Sequence, residues 1–117
     1  MKKVISLLFV CLILTACGKK LYETIDTNQA LEIINDGAML LDVRTIEEYN
    51  REHIPNAINI PLDQIDTINY DKDTKIIVYC QTGVRSKEAV SKLADKGYTS
   101  LYNLDGGLLN WGGTLEE

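Results

Sequence analysis

The sequence predicts an α/β domain built on a mainly parallel sheet. Three observations carry that prediction. Short apolar runs alternate with stretches of helical period. Met39–Val43, "MLLDV", is an almost continuously apolar run, as expected of a strand covered on both faces. Thr74–Tyr79, "TKIIVY", is the best strand in the chain, and Ser86–Gly97, "SKEAVSKLADKG", its best helix follows within a few residues. Right-handed crossovers are then expected. Ligands of such sheets bind beyond the carboxyl ends of strands.

The elements follow in order. Tyr22–Ile25 can form a small edge strand. Thr27 reads as an N-cap, and Ala30, Leu31, Ile33 and Ile34 form a helical stripe that stops at Gly37. After Met39–Val43, Thr45 is expected to cap one or two helical turns, with Glu48 as its capping-box partner. Ala57–Pro61 is a short strand halted by proline. Leu62, Ile65 and Ile68, spaced by three, give a short helical connection. The helix from Ser86 has a serine cap, a glutamate in its first turn, an apolar face of Ala89, Val90, Leu93 and Ala94, and a glycine stop. "TSLYNL" is another strand, and Gly106–Gly107 form a tight turn into a short helical piece. No repeat, low-complexity tract or interdomain linker interrupts the pattern.

The first residues belong to a different class of segment. Two lysines precede a short apolar run that ends in Leu14-Thr15-Ala16-Cys17. That order reads as a secretory signal, and the run is too short for a comfortable bilayer span. Small residues before a cysteine resemble the lipobox of bacterial lipoproteins. The resemblance implies a signal peptide at 1–16, lipidated Cys17, a tether to residue 20 and a domain over 21–117. An uncleaved anchor helix is the other reading. A lipoprotein would be exported and held in the bacterial cell envelope through its N-terminal lipid.

Charge narrows the function classes. The formal net charge is −5, and loss of Lys2 and Lys3 with a signal peptide would make it −7. An acidic surface argues against nucleic acid and against adhesion to anionic lipid. With Cys11 removed and Cys17 lipidated, Cys80 is the only free thiol. No intramolecular disulfide is then possible, and a lone thiol in an exported domain is a reactive group or an intermolecular partner.

Cys80 stands where the best strand gives way to a loop, Gln81-Thr82-Gly83-Val84-Arg85, and then to a helix. Loop amides, the helix start and Arg85 would all favour thiolate over thiol. Successive amides form an anion-binding nest, and Gly83 lets the chain curl. The expected product is a nucleophile inside its own anion cradle. Its pKa should lie below the ordinary ~8.5, and an exposed, oxidisable sulfur is expected. A buried core cysteine with Arg85 as surface charge is the plainer alternative.

Three separated motifs, "LLDVRTIEEYNREHIPNAINIP", "IIVYCQTGVRS" and "LDGGLLNW", resemble the rhodanese family of thiosulfate sulfurtransferase-like domains. The resemblance covers about Leu21 to Gly113. It implies a three-layer domain whose central sheet is flanked by helices. It implies that Cys80 carries a sulfane sulfur as a persulfide, with amides of the loop from Cys80 to Arg85 around it. Thiosulfate or a similar donor would supply the sulfur, and a thiol or cyanide would accept it. Asp42 and Arg44 match the family's Asp-x-Arg signature. Glu48 stands where a carboxylate often pairs with that arginine, so an Arg44–Glu48 ion pair is expected and Asp42 is read as an acceptor for amides. Ser86 is a supporting residue. Asn56 replaces a usual glycine, and asparagine best tolerates a left-handed backbone. The chain ends sooner after Trp111 than many relatives, which predicts a less covered side.

No cofactor and no metal are expected, and a monomer is expected. His53 is the only histidine and reads as a structural, hydrogen-bonded residue without partners for a metal. Trp111 and the tyrosines read as core or rim, and Asp63, Asp66, Asp71 and Asp73 as solvated surface. Two other functions compete with sulfur transfer. One is a cysteine-dependent phosphatase or arsenate reductase, whose related loop in the phosphatases has five residues between Cys and Arg where this chain has four. The other is a non-enzymatic sulfur carrier or interaction domain.

Overall fold

Strand-forming runs and amphipathic helices alternate along the chain as the sequence predicts. The computed structural model describes residues 21–117. Cys11, the expected leader at 1–16, Cys17 and the tether lie outside the described residues. The strands are β1 (Glu23–Ile25), β2 (Met39–Asp42), β3 (Ile58–Asn59), β4 (Lys75–Tyr79) and β5 (Ser100–Leu104). The helices are α1 (Thr27–Asn35), α2 (Ile46–Arg51) and α3 (Val84–Asp95), with 3-10 turns at Leu62–Thr67 and Gly107–Asn110. All strand pairs are parallel, in the order β1-β5-β4-β2-β3.

The period of two along each strand divides the core into two layers. Leu41, Ile76, Val78 and Leu101 face α3 and the 62–67 turn, meeting Val90, Leu93 and Ile65. Leu40, Ile77, Tyr79 and Leu104 face the other way, against Ala30 of α1, Ile54 and Leu108. β4 lies at the centre, between β2 and β5, with Ile76 to Tyr79 wholly buried. The result is the three-layer architecture expected, and it fixes the carboxyl end of β4 in the middle of the sheet.

Two helix starts differ from the sequence reading. Asp26, not Thr27, caps α1: its Oδ1 accepts from Gln29 N and Gln29 Oε1 accepts from Asp26 N. The aspartate lies one residue before Thr27 and completes a reciprocal box with Gln29, leaving Thr27 inside the first turn. Its hydroxyl instead accepts from Gly112 N, tying the C-terminal tail to α1. Ser86 is not the cap of α3 either. Gly83 adopts φ +100° and is the N-cap, so the helix begins at Val84 and Glu88 falls beyond its first turn. Thr45 and Glu48 do form their capping box.

Asn56 takes φ 69°, the left-handed backbone its position requires. The tail beyond Trp111 folds back to His53. Glu116 pairs with His53 in an antiparallel bridge through two backbone hydrogen bonds of 2.8 and 2.9 Å. Among the described residues, no helix is long and apolar enough to cross a membrane.

Candidate active site

Cys80 is the first residue beyond β4. It continues the strand's alternation, so its side chain turns towards α3. The loop then curls back over the sulfur. Gly83 N lies 3.1 Å and Ser86 N 3.4 Å from Cys80 Sγ, and both donate to it. Ser86 Oγ lies 3.6 Å away. The left-handed turn at Gly83 brings these amides to one atom.

This enclosure corrects the expectation of an exposed thiol: Cys80 is 0% exposed. The sulfur faces inward beneath the amides, and it is Val84 that projects outward, at 73% exposed. Burial pushes the thiol's pKa up. Hydrogen bonds from Ser86, Gly83 and Thr82 outweigh burial, so the pKa lies below its ordinary value.

The loop is held from below by the turn after β5. Leu108 N donates to Cys80 O at 2.9 Å and Leu109 N to Gln81 O at 3.2 Å. Gly107 makes this approach possible. It has φ +62°, and a Cβ there would lie 2.5 Å from Cys80 O. The glycine pair makes the tight turn into a helical piece that the sequence predicts, and its second role, as the seat of the cysteine loop, is a matter of distances the sequence does not encode.

The arginines are paired differently from the sequence expectation. Arg44 does not bond Glu48. It is buried, and its Nε and Nη2 grip both oxygens of Asp42 at 3.0 and 2.7 Å. Asp42 also accepts from Arg44 N at 2.9 Å, so its amide-acceptor role is that of its own turn. Arg44 Nη2 reaches Glu52 O at 2.7 Å and Nη1 reaches Gln81 Oε1 at 3.1 Å, which joins this pair to the cysteine loop. Burial lowers the Arg44 pKa, and Asp42 more than restores it. Glu48 instead takes Arg85, in two parallel bonds of 2.8 and 3.0 Å. Arg85 holds the Glu48 carboxyl down to about 2, and Glu48 holds the Arg85 guanidinium up. The reason for the exchange is reach. Arg44 turns back on the aspartate two residues before it, which frees the capping glutamate of α2 for the far end of the loop.

Cys80, Gly83, Arg85 and Ser86 thus come together, Gln81 contacts Arg44, and Thr82 stands exposed at the loop tip. A residue that sequence reasoning missed is Asn103. It is buried on the α3 side of β5, and its Oδ1 accepts from Ser86 Oγ. A polar residue in strand register with the apolar Leu101 was the available signal. His53 is structural as expected. It stacks on Tyr49 at 3.8 Å between ring centres, and its Nδ1 lies 2.9 Å from Tyr49 O. Next to Arg85 is a cavity of about 350 Å³ with Val43, Pro61 and Leu62 in its wall.

Fold and loop together define a class: a parallel α/β domain with a buried cysteine in an amide cradle at the end of its central strand. The rhodanese-like domain family matches residues 26–114, and this chain belongs to that family. An uncharacterised Bacillus subtilis protein, YqhL, is 41% identical over 81 residues, which are 68% of this chain and 64% of that protein. An adenylyltransferase and sulfurtransferase of Ogataea parapolymorpha is 36% identical over 81% of this chain, but this covers only 26% of that larger protein. The chain therefore spans less than two thirds of the length of these relatives. The crystal structure of a rhodanese-like domain protein from Staphylococcus aureus superposes with a TM-score of 0.72 at 34% identity, covering 80% of this chain and 96% of that one.

Proposed function

We propose that this domain transfers sulfane sulfur, with Cys80 as the covalent carrier. The observation that supports it is the convergence of backbone amides on one sulfur atom at Cys80. The Cys80 thiolate attacks the outer sulfur of thiosulfate or a similar donor. The bond between the donor's two sulfurs breaks, and its electron pair leaves with sulfite. A thiolate or cyanide then attacks the outer sulfur of the persulfide, and the Cys80 thiolate leaves. The two halves make a ping-pong cycle. The same amides that favour the thiolate suit the single terminal atom of the persulfide. A phosphoryl group, with three equatorial oxygens, needs a wider ring. The name of the Ogataea relative, which includes sulfurtransferase, agrees with this reading.

The test is intact-mass analysis after incubation with thiosulfate. The protein should gain one sulfur atom at Cys80, cyanide should remove it as thiocyanate, and Cys80→Ala should do neither. Turnover of aryl phosphates without any sulfur gain would move the assignment to the phosphatase class. Inertness to both would favour an interaction domain.

The segment before the domain is part of the proposal. Residues 1–16 are a leader, and Cys17 is the lipidated first residue of an envelope protein. Radiolabelled palmitate should enter the wild-type protein and not Cys17→Ala. Equal labelling of the two would sink this assignment.

A further inference from the structure

Two oddities meet beside Cys80. Ser86 has a single hydroxyl proton, yet two oxygens compete for it, Gly83 O at 3.1 Å and Asn103 Oδ1, while its own Oγ accepts from Cys80 Sγ. Asn103, meanwhile, buries its side-chain Nδ2 without a partner among the described residues. A buried amide nitrogen left unmatched is costly, and natural structures rarely tolerate one without a reason.

Each oddity is explained by the charge on the sulfur. With Cys80 neutral, the hydrogen bonds run outward. The thiol S–H points to Ser86 Oγ, and the Ser86 proton points to Asn103 Oδ1. Nothing in that arrangement uses Asn103 Nδ2. With Cys80 ionised, its proton is gone to solvent and the sulfur needs donors. The Ser86 proton turns to Sγ more readily once Asn103, the nearer of its two oxygen acceptors, stops competing for it. A half-turn of the Asn103 amide achieves this. It exchanges Oδ1 for Nδ2, so that an N–H donates to Ser86 Oγ and the hydroxyl donates to sulfur. The amide's unmatched atom is then a carbonyl oxygen, the less costly orphan.

We propose that Asn103 is a positioning residue whose amide reverses the Asn103–Ser86–Cys80 hydrogen-bond chain when the thiol ionises. Asn103 touches no reacting atom and acts through Ser86. It is placed to do so by β5, whose register sets Asn103 beside Val78, two residues before Cys80. The inference rests on Cys80 being the reactive thiol of the site, and its readout is ionisation, not sulfur transfer. The charged groups near the sulfur come from other elements. Arg85 of α3 couples to it, Glu48 of α2 pairs with Arg85, and Asp42 and Arg44 neutralise one another beyond Gln81. None of these is altered in the variants below.

The experiment follows alkylation of Cys80 against pH on the full chain, read on the Cys80 peptide by mass spectrometry so that Cys11 and Cys17 do not contribute. Asn103→Leu keeps the shape and removes both amide groups. It should raise the inflection by about one pH unit, a roughly tenfold smaller thiolate fraction on the rising limb. Asn103→Asp keeps an acceptor, adds negative charge and should raise it further. Ser86→Ala should raise it as well, and Asn103→Leu should add little on top of Ser86→Ala, because it acts through the missing hydroxyl. Additive effects of the two changes would overturn the relay. A second measurement uses the unaltered chain. The Asn103 side-chain amide resonances should titrate with the same midpoint as the Cys80 Cβ resonance. Resonances that stay still while Cys80 ionises would overturn the proposal, even if every variant misfolded.

Discussion

The two arginines that flank the cysteine loop have the same chemistry and opposite circumstances. Arg44 is 2% exposed and clasped by an aspartate that is fully buried. The side chain of Arg85 is 36% exposed and shares its charge with a partly buried glutamate. Arg44 reaches the loop only through Gln81, while Arg85 closes the loop itself. The difference teaches which pair holds the shape and which sets the field. A buried pair contributes little net attraction, since desolvation offsets it, but either half alone is an uncompensated charge. A pair at the surface can be separated at small cost, because water takes over both ends.

The largest effect should come from breaking the inner pair. Arg44→Met leaves Asp42 buried and unpaired, and should destabilise the domain by about 3–5 kcal/mol. Urea unfolding reads this directly. Adding Asp42→Asn to Arg44→Met should restore part of the loss, and no recovery would show that Arg44 stabilises through its bonds to Glu52 O and Gln81 instead.

Next in size is a change that touches neither arginine. Gly107→Ala pushes a Cβ against the backbone of Cys80 and Gln81 and strains a positive φ. A loss of about 2 kcal/mol is expected, and the inflection for Cys80 alkylation should rise towards ~8.5 as the loop is displaced. An unchanged inflection would mean that the arginines alone fix the cradle.

The smallest effect belongs to the outer pair. Glu48→Gln should cost about 1 kcal/mol at neutral pH, discounted for the exposure of Arg85. Its pH dependence has a definite sign. The carboxyl titrates near its ordinary value when unfolded and at about 2 when folded. Its contribution is therefore complete above about pH 4.5 and is lost as the pH falls towards 2. The stability difference between wild type and Glu48→Gln should close over that interval, and a difference that persisted at pH 2 would assign the effect to the α2 cap.

Much of this architecture was legible because it follows from local patterns. The apolar run of β4, the stripe of α3 and the Thr45–Glu48 box each need only neighbouring residues to be recognised. The cap of α3 is not legible in the sequence because a serine is the commoner starter, while Gly83 begins the helix through its backbone conformation alone. That shift puts Ser86 in the first turn, beside Cys80 Sγ, and makes it a donor to the site. The partners of Arg44 and Glu48 are not legible because sequence spacing gives proximity, not direction. Asn103 acts through a contact 17 residues away and Gly107 through its approach to the backbone of Cys80 and Gln81, which no local rule reaches.

One feature of the sheet bears on the order in which the molecule is made. β1 opens the described domain and pairs with β5, which comes almost last. Such pairing of distant segments must bear the entropy of closing most of the chain before it is rewarded. The seat of the cysteine loop, at Leu108 and Leu109, arrives later still. Until that turn closes, Cys80 O and Gln81 O lack the amides of Leu108 and Leu109 that hold the loop in place. The cradle is therefore complete only when the turn after β5 has closed beneath the loop.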